Sequence, residues 1–360
     1  MLHETYIKRC IELGKNGLGT TRPNPMVGCV IVYKNTIIGK GFTSAYGDSH
    51  AEVNAIQSVK DKSLLNQSTL YVTLEPCSHY GKTPPCSNLI IEHKIPNVVI
   101  GTIDTHSKVA GKGIAMLKAS GCNVSIGVLE GECKQHHKRF FTFHNKKRPY
   151  VILKWAETND GFIAPSYKNE SKPVWITNPY SRQLVHKWRA EEQAILIGTN
   201  TVKEDDPSLT TRNWKGNNPV RIVIDRQNKL SKTLKVFESL AATIVISDNN
   251  QKSEVGNPVG KNLNFEFIDW NLKDKIAKQI CNVLFKNTIN SVIIEGGRKT
   301  LQTFIDEGIW DEARVFTGNI QFKEGVEAPK LNGKLISTEK IIDDVLKIFI
   351  PSQHGISSTQ

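Results

Sequence analysis

The sequence predicts a two-domain α/β protein, and three observations carry that reading. The chain has 360 residues, beyond the roughly 250–300 at which a single hydrophobic core stops growing. Apolar residues make up 39% and charged residues 23%, an ordinary globular balance. Short β-branched runs also alternate with segments of helical periodicity along the whole length.

In order, residues 3–16 space Tyr6, Ile7, Cys10, Ile11 and Leu13 at helical intervals. Val27–Tyr33 and Thr36–Phe42 flank the turn residues Lys34 and Asn35, so a hairpin is expected. His50–Val59 reads as a helix, Thr69–Leu74 as a buried strand, Ser87–His93 as a helix and Val98–Ile103 as a strand. Gly113–Ala119, Val124–Val128 and Glu130–Thr142 continue the alternation, which implies a sheet covered on both faces. A basic stretch followed by a proline, Asn145–Pro149, marks the expected boundary. Beyond it Tyr150–Trp155, Ala194–Ile197, Val220–Ile224, Thr243–Ile246 and Val292–Ile294 are strand-like, with helical stretches between them. Residues 353–360 read as a polar tail.

The first twenty residues lack the apolar stretch of a secretory signal, and no uncharged run is long enough to cross a bilayer. The expected address is the cytoplasm, where the singly scattered Cys10, Cys29, Cys122, Cys133 and Cys281 read as buried or idle thiols, and only Cys77 and Cys86 of the seven sit close together. The formal charge of +12 is spread along the chain and points weakly to anionic ligands.

The chemistry concentrates in His50-Ala51-Glu52 and in the run from Thr73 to Cys86, TLEPCSHYGKTPPC. One histidine and two cysteines are the ligand number of a catalytic zinc site with a position left for water. A carboxylate two residues beyond the histidine can move protons there without being a ligand. H-x-E followed by P-C-x-x-C is a zinc nucleobase deaminase pattern, but eight residues rather than two separate Cys77 from Cys86. On the residues alone, Cys86 opens the next helix and reaches the metal, or the pair is coincidental. A lone H-x-E is usually a solvated helix face, and helical spacing turns His50 and Glu52 apart unless they occupy a first turn.

RPNPMVGCV (Arg22–Val30), HAEVNAI (His50–Ile56), LEPCSHYGKTPPC (Leu74–Cys86) and KVAGKGI (Lys108–Ile114) resemble the deaminase half of the bifunctional deaminase–reductase family of riboflavin biosynthesis. DDPSLTTR (Asp205–Arg212) and IIEGGRKT (Ile293–Thr300) resemble its reductase half, and the long Cys–Cys spacing is that family's own. The resemblance implies a cytidine-deaminase-like α/β/α sandwich over residues 1–147 and a dihydrofolate-reductase-like α/β domain over residues 148–352. It implies zinc-dependent deamination of a phosphoribosylated aminopyrimidinone, then NADPH-dependent reduction of the ribosyl group of the product to ribityl. It implies zinc on His50, Cys77 and Cys86, Glu52 as proton shuttle, and deaminase substrate contacts at Asn24, His79, Lys82 and Asp104. Cofactor contacts are implied at Ala156, Trp175, Thr201 and Asp205, and at Gly297, Arg298, Lys299, Thr300, Leu301, Gln302 and Thr303. Reductase substrate contacts are implied at Arg189, Leu209, Arg212 and Glu295, the arginines suiting a phosphate. Partners would be phosphorylated small molecules and further copies of the chain in a dimer or larger assembly, with neither nucleic acid nor membrane.

The chain departs from the family in Phe42–Ser49, which lacks a frequent histidine, in Thr105–Ser107, and at Pro173, where a small hydroxyl residue is common. Three rivals stand beside this reading: an RNA-editing deaminase, favoured by the charge, a structural zinc module in a binding protein, which would usually need a fourth protein ligand, and a protein with only one active domain.

Overall fold

The computed structural model describes residues 2–78, 80, 84–104, 111–168, 173–251, 262–272 and 275–352. His79, Lys82, Thr105–Ser107 and the tail 353–360 lie outside the described residues. The chain divides into two compact units, Met1–Lys147 and Arg148–Gln360.

In the first unit the elements are α1 (Leu2–Gly14), β1 (Gly28–Tyr33), β2 (Thr36–Phe42), α2 (Ala51–Ser58), β3 (Thr69–Leu74) and α3 (Cys86–Glu92), followed by β4 (Asn97–Thr102), α4 (Lys112–Ala119), β5 (Asn123–Ile126), α5 (Glu130–His136) and α6 (Lys138–Lys146). The sheet order is β2-β1-β3-β4-β5. β1 pairs antiparallel with β2, as the hairpin turn Lys34-Asn35 dictates, and also antiparallel with β3, whereas β3, β4 and β5 run parallel through helical crossovers. Alternation along the strands sorts side chains to two faces. Cys29, Ile31, Leu70, Val72, Val98 and Ile100 pack with Ala55 and Ile56 of α2, Ile90 of α3 and Leu117 of α4. Val30, Val32, Tyr71 and Val99 pack with Ile7, Cys10 and Leu13 of α1 and with Cys133 of α5. Glu130–Thr142 contains two helices that meet at His137.

The second unit runs β6 (Tyr150–Thr158), β7 (Phe162–Pro165), α7 (Pro179–Glu191), β8 (Ala194–Ile197), α8 (Thr199–Asp205), β9 (Val220–Ile224), β10 (Thr243–Asp248) and β11 (Leu263–Ile268). It continues with α9 (Ile276–Lys286), β12 (Ser291–Ile294), α10 (Arg298–Asp306), β13 (Glu312–Gly318), β14 (Gly325–Glu327), β15 (Gly333–Ile341) and β16 (Asp344–Pro351). Its nine-stranded sheet has the order β11-β10-β9-β8-β12-β6-β13-β16-β15. Pairing is parallel from β11 to β13 and antiparallel through β16 and β15. Cores line both faces, one with α9 and α10, the other with α7 and Val202 of α8. Two side chains staple this unit. Arg148 pairs with Asp311 at 2.5 and 2.8 Å, and Asp311 also accepts from Val151 N. Arg221, fully buried, donates to Thr243 Oγ1 at 3.0 Å and to the carbonyls of Lys235, Glu238 and Ala241. Among the described residues no helix is long and apolar enough to cross a membrane.

His136 ties α5 to the loop before β1, its Nε2 lying 2.7 Å from Met26 O. Burial holds the imidazole neutral, with its pKa lowered from 6.5 to about 4. A depressed folded pKa contributes stability above the unfolded value that is lost as pH falls from 6.5 toward 4. Thermal unfolding of the first unit should therefore show a loss of about 2 kcal/mol between pH 7 and pH 5 from this residue. Its removal in H136Q should flatten that slope, and a slope identical to wild type would contradict the assignment.

Candidate active sites

In the first unit, β3 feeds into Glu75-Pro76-Cys77, and Glu75 anchors the surroundings. Its Oε2 accepts from Asp104 N and Gly111 N at 3.3 and 3.0 Å, its Oε1 from Gly113 N and Ile114 N at 3.0 and 3.3 Å. Glycine is required at 113, since a Cβ there would lie 2.1 Å from Pro76 O. The Cys77 carbonyl accepts from Ser87 N at 3.1 Å and Ser87 Oγ at 2.9 Å, which pins the loop to the first turn of α3. Cys86 is the first residue of that helix, preceded by Pro84 and Pro85, a position that tolerates proline.

His50 is the N-cap of α2 with an extended backbone, φ −73° and ψ 164°, so helical spacing does not turn it away from Glu52 in the first turn. Its Nδ1 lies 3.5 Å from Cys77 Sγ and 3.3 Å from Cys86 Sγ. The three donor atoms fall within 4.8 Å of one another.

The electrostatics match the geometry. The hydrogen bond from Cys86, aided by His50 and opposed by burial, drops the Cys77 pKa to about 4. The hydrogen bond to Cys77 lifts His50 to about 9, while the partner role and burial push Cys86 well above the usual thiol range. Glu52 is 4% exposed, and burial together with the Cys77 charge raises its pKa to about 7. Two thiols and an imidazole that compete for protons at one point are a donor set suited to zinc, which binds thiolate and neutral imidazole.

Asp104 is buried just beyond β4 and is held through its backbone by Glu75. Asn24 sits in a turn in which its N–H donates to Thr21 O at 2.9 Å and its carbonyl accepts from Thr21 Oγ1 at 3.2 Å.

The second unit holds a cavity of about 1680 Å³ along the carboxyl ends of its parallel strands, where open α/β sheets bind ligands. Ala156, Trp175, Thr201, Asp205, Gly297, Arg298, Lys299, Thr300 and Thr303 line it, as do Arg189, Leu209, Arg212 and Glu295. Leu301 and Gln302 are not in its wall: Leu301 is fully buried in the core, and Gln302 holds Lys330 N at 2.9 Å. Helix periodicity explains this, because consecutive positions of α10 face different directions. Pro173 also lines the cavity.

Gly297 is the N-cap of α10, and its N–H donates to Thr201 Oγ1 at 3.0 Å. At Gly296 a Cβ would lie 2.7 Å from Thr300 Cβ, so the turn stays bare of side chains and leaves the helix start open to a phosphate. Lys154, which sequence reasoning missed, stands between Glu295 and a phenylalanine ring, 3.8 Å from Glu295 Oε1 and 6.0 Å from the Phe316 centroid. Its signal was a lone ammonium within the apolar run Tyr150–Trp155. Arg189 grips Glu295 Oε2 at 3.0 Å. Burial lowers the Lys154 pKa, while Lys154 and Arg189 outweigh burial to hold Glu295 low. Arg189 Nε and Glu295 Oε1 are buried without hydrogen-bond partners, which fits a cavity built to receive a polar ligand.

Residues 1–102 match the cytidine and deoxycytidylate deaminase zinc-binding region, and residues 149–345 the RibD C-terminal domain. The riboflavin biosynthesis protein RibD of Aquifex aeolicus is 37% identical over 354 residues, covering 96% of this chain and 94% of its own length. That of Actinobacillus pleuropneumoniae is 38% identical over 367 residues, with 96% and 94% covered. Among solved structures, a diaminohydroxyphosphoribosylaminopyrimidine deaminase/5-amino-6-(5-phosphoribosylamino)uracil reductase of Thermotoga maritima superposes with a TM-score of 0.87 at 38% identity, covering 98% of this chain and 99% of that one. With a zinc-binding deaminase region, a reductase region and relatives aligned over nearly their full length, this chain belongs to the RibD family of riboflavin-biosynthesis proteins, a deaminase and an NADPH-dependent reductase in one polypeptide.

Proposed function

We propose that the first unit deaminates a diaminohydroxyphosphoribosylaminopyrimidine and the second reduces the resulting 5-amino-6-(5-phosphoribosylamino)uracil, the pair of reactions named for the Thermotoga maritima relative. The observation that carries the first reaction is the convergence of His50, Cys77 and Cys86 within 4.8 Å beside the buried carboxyl of Glu52. Zinc held by those three side chains supplies Lewis acidity and lowers the pKa of water. Glu52, buried beside the three donors, accepts a proton from the attacking water and returns it to the departing amine. Asn24 and Asp104 orient the pyrimidine ring, and His79 and Lys82 contact its base and phosphate.

In the second unit the cavity would hold NADPH, which would supply the hydride for reduction of the ribosyl group. The Gly297–Thr303 turn and helix start would hold its phosphates through backbone N–H groups. Ala156, Trp175, Thr201 and Asp205 form the rest of the cofactor wall. Arg189 and Arg212 offer guanidinium forks to the 5-phosphate, Leu209 packs against the substrate, and Glu295 accepts from its hydroxyls. Lys154 supplies the buried positive charge beside the group being reduced.

Two further parts of this reading have their own support. All seven cysteines are unpaired, in keeping with a reducing, cytoplasmic compartment. Edge strand β15 exposes Leu335 at 48% and Ile336 at 49%, a surface suited to assembly with a second copy.

E52Q should keep stoichiometric zinc and lose deamination by about two to four orders of magnitude, the usual share of general acid–base catalysis. Near-normal ammonia release by E52Q would end the proton-shuttle role. Because the three ligands lie in the first unit and the reductase cavity is lined by residues of the second, chelation should abolish ammonia release and leave NADPH oxidation with the deaminated substrate intact. Parallel loss of both activities would contradict that assignment of zinc.

A further inference from the structure

Helix α7 brings a second polar side chain to the cavity besides Arg189. His186 and Arg189 stand three residues apart on α7 and so share a face. Both line the cavity, and His186 is only 6% exposed. Residues 207–212 border the same space, with Leu209 and Arg212 in its wall. His186 joins the two elements, because its Nδ1 accepts the backbone N–H of Arg212 at 3.1 Å. Arg189 reaches the same segment, donating from Nη1 to Thr210 O at 3.5 Å while its Nη2 holds Glu295 Oε2 at 3.0 Å. Arg212 in turn donates from its guanidinium to Ser208 Oγ and Thr210 Oγ1. Between those two residues Leu209 sits at φ 55°, a left-handed conformation that costs a leucine energy. A segment of that shape persists only where its surroundings hold it.

The chemistry of the holding contact is selective. An imidazole accepts an N–H only through an unprotonated nitrogen, so the His186 ring is neutral and carries its proton on Nε2. Burial, reinforced by the charges of Arg189 and Arg212 and opposed by Glu295, lowers the His186 pKa from 6.5 to about 4. The lone pair is therefore present at neutral pH. A carboxylate could accept the same N–H, but it would set a negative charge beside two guanidiniums and offset the attraction they offer an anion. The neutral ring ties the segment down and leaves that positive field intact.

Resting on the reductase reading above, in which Arg189 and Arg212 take the 5-phosphate, we propose that His186 is a positioning residue for the substrate. By holding the Arg212 backbone it fixes the spacing of the two guanidinium forks. It thereby sets the selectivity of the reductase for a phosphorylated over an unphosphorylated ribosyl group.

The test is steady-state NADPH oxidation by the full chain with 5-amino-6-(5-phosphoribosylamino)uracil and with its dephosphorylated nucleoside. Wild type should favour the phosphorylated substrate in kcat/KM by at least about a hundredfold, as two charge-assisted forks provide. H186L keeps bulk but loses the acceptor. It should raise KM for the phosphorylated substrate about tenfold, with kcat and both constants for the nucleoside changed less than about threefold. H186N, whose Oδ1 replaces Nδ1 as a neutral acceptor, should recover most of that loss. H186D, an acceptor of the wrong charge, should not. Calorimetric titration with NADPH checks in each variant that the reductase unit is folded. Equal loss with both substrates in H186L, or no recovery in H186N, would overturn the role of His186 while leaving the reductase reading in place. If H186L fails to fold, equal phosphate selectivity in H186N and H186D would overturn it instead. A wild type that oxidises NADPH with neither substrate would remove the reductase reading and this inference with it.

Discussion

The deaminase unit is organised around one electrostatic problem, which is to bring two buried sulfurs and an imidazole to a single point. Cys77 and Cys86 each approach His50 Nδ1 within 3.5 Å. Hydrogen bonding within the trio favours the Cys77 thiolate and the charged His50 ring. A divalent cation held there would bind the same donors as thiolates and a neutral ring. Everything adjacent holds this point in place: Ser87 on the Cys77 carbonyl, Glu75 on four backbone N–H groups, and the extended backbone of His50 ahead of α2.

The reductase unit meets a related problem with charges of opposite sign. Lys154, Glu295 and Arg189 are largely buried together, with side-chain exposures of 16%, 12% and 13%. A buried network of this kind is weak evidence for stability, since desolvation offsets much of the attraction. Arg189 Nε and Glu295 Oε1 make no hydrogen bond among the described residues, although Lys154 Nζ lies 3.8 Å from Glu295 Oε1. A ligand with hydroxyl and phosphate groups would use these atoms, and a hydrophobic core would not need them. The two units therefore share a logic in which local stability is given up for a preorganised polar centre at the carboxyl ends of strands.

The departures of this chain from its family fall unevenly on that arrangement. Pro173 is part of the reductase cavity wall, so the loss of a hydroxyl there changes a surface that ligands touch. Its effect on the cavity is to exchange a hydrogen-bonding group for a rigid apolar one. The metal donors His50, Cys77 and Cys86 and the Gly296-Gly297 turn are not among the departing residues.

Much of this was legible in the chain itself, because local chemistry leaves local marks. Strands β1, β3, β4, β8, β9 and β12 are short β-branched runs buried on both faces, and such runs announce themselves. The metal donors were marked by residue type, since two cysteines near prolines and a histidine before a carboxylate have few other uses together. By contrast β15, exposed along most of its length, carries no apolar run to reveal it. The anatomy of α10 also escaped, because a contiguous motif cannot show that Leu301 turns into the core while Thr300 and Thr303 face the cavity. Only the tertiary fold could bring Lys154 to Glu295 across 141 positions, or set Arg226 beside Trp270 through the order of strands. Sequence records what each segment prefers to bury, whereas a site assembled from the ends of several strands exists only once the strand order is decided.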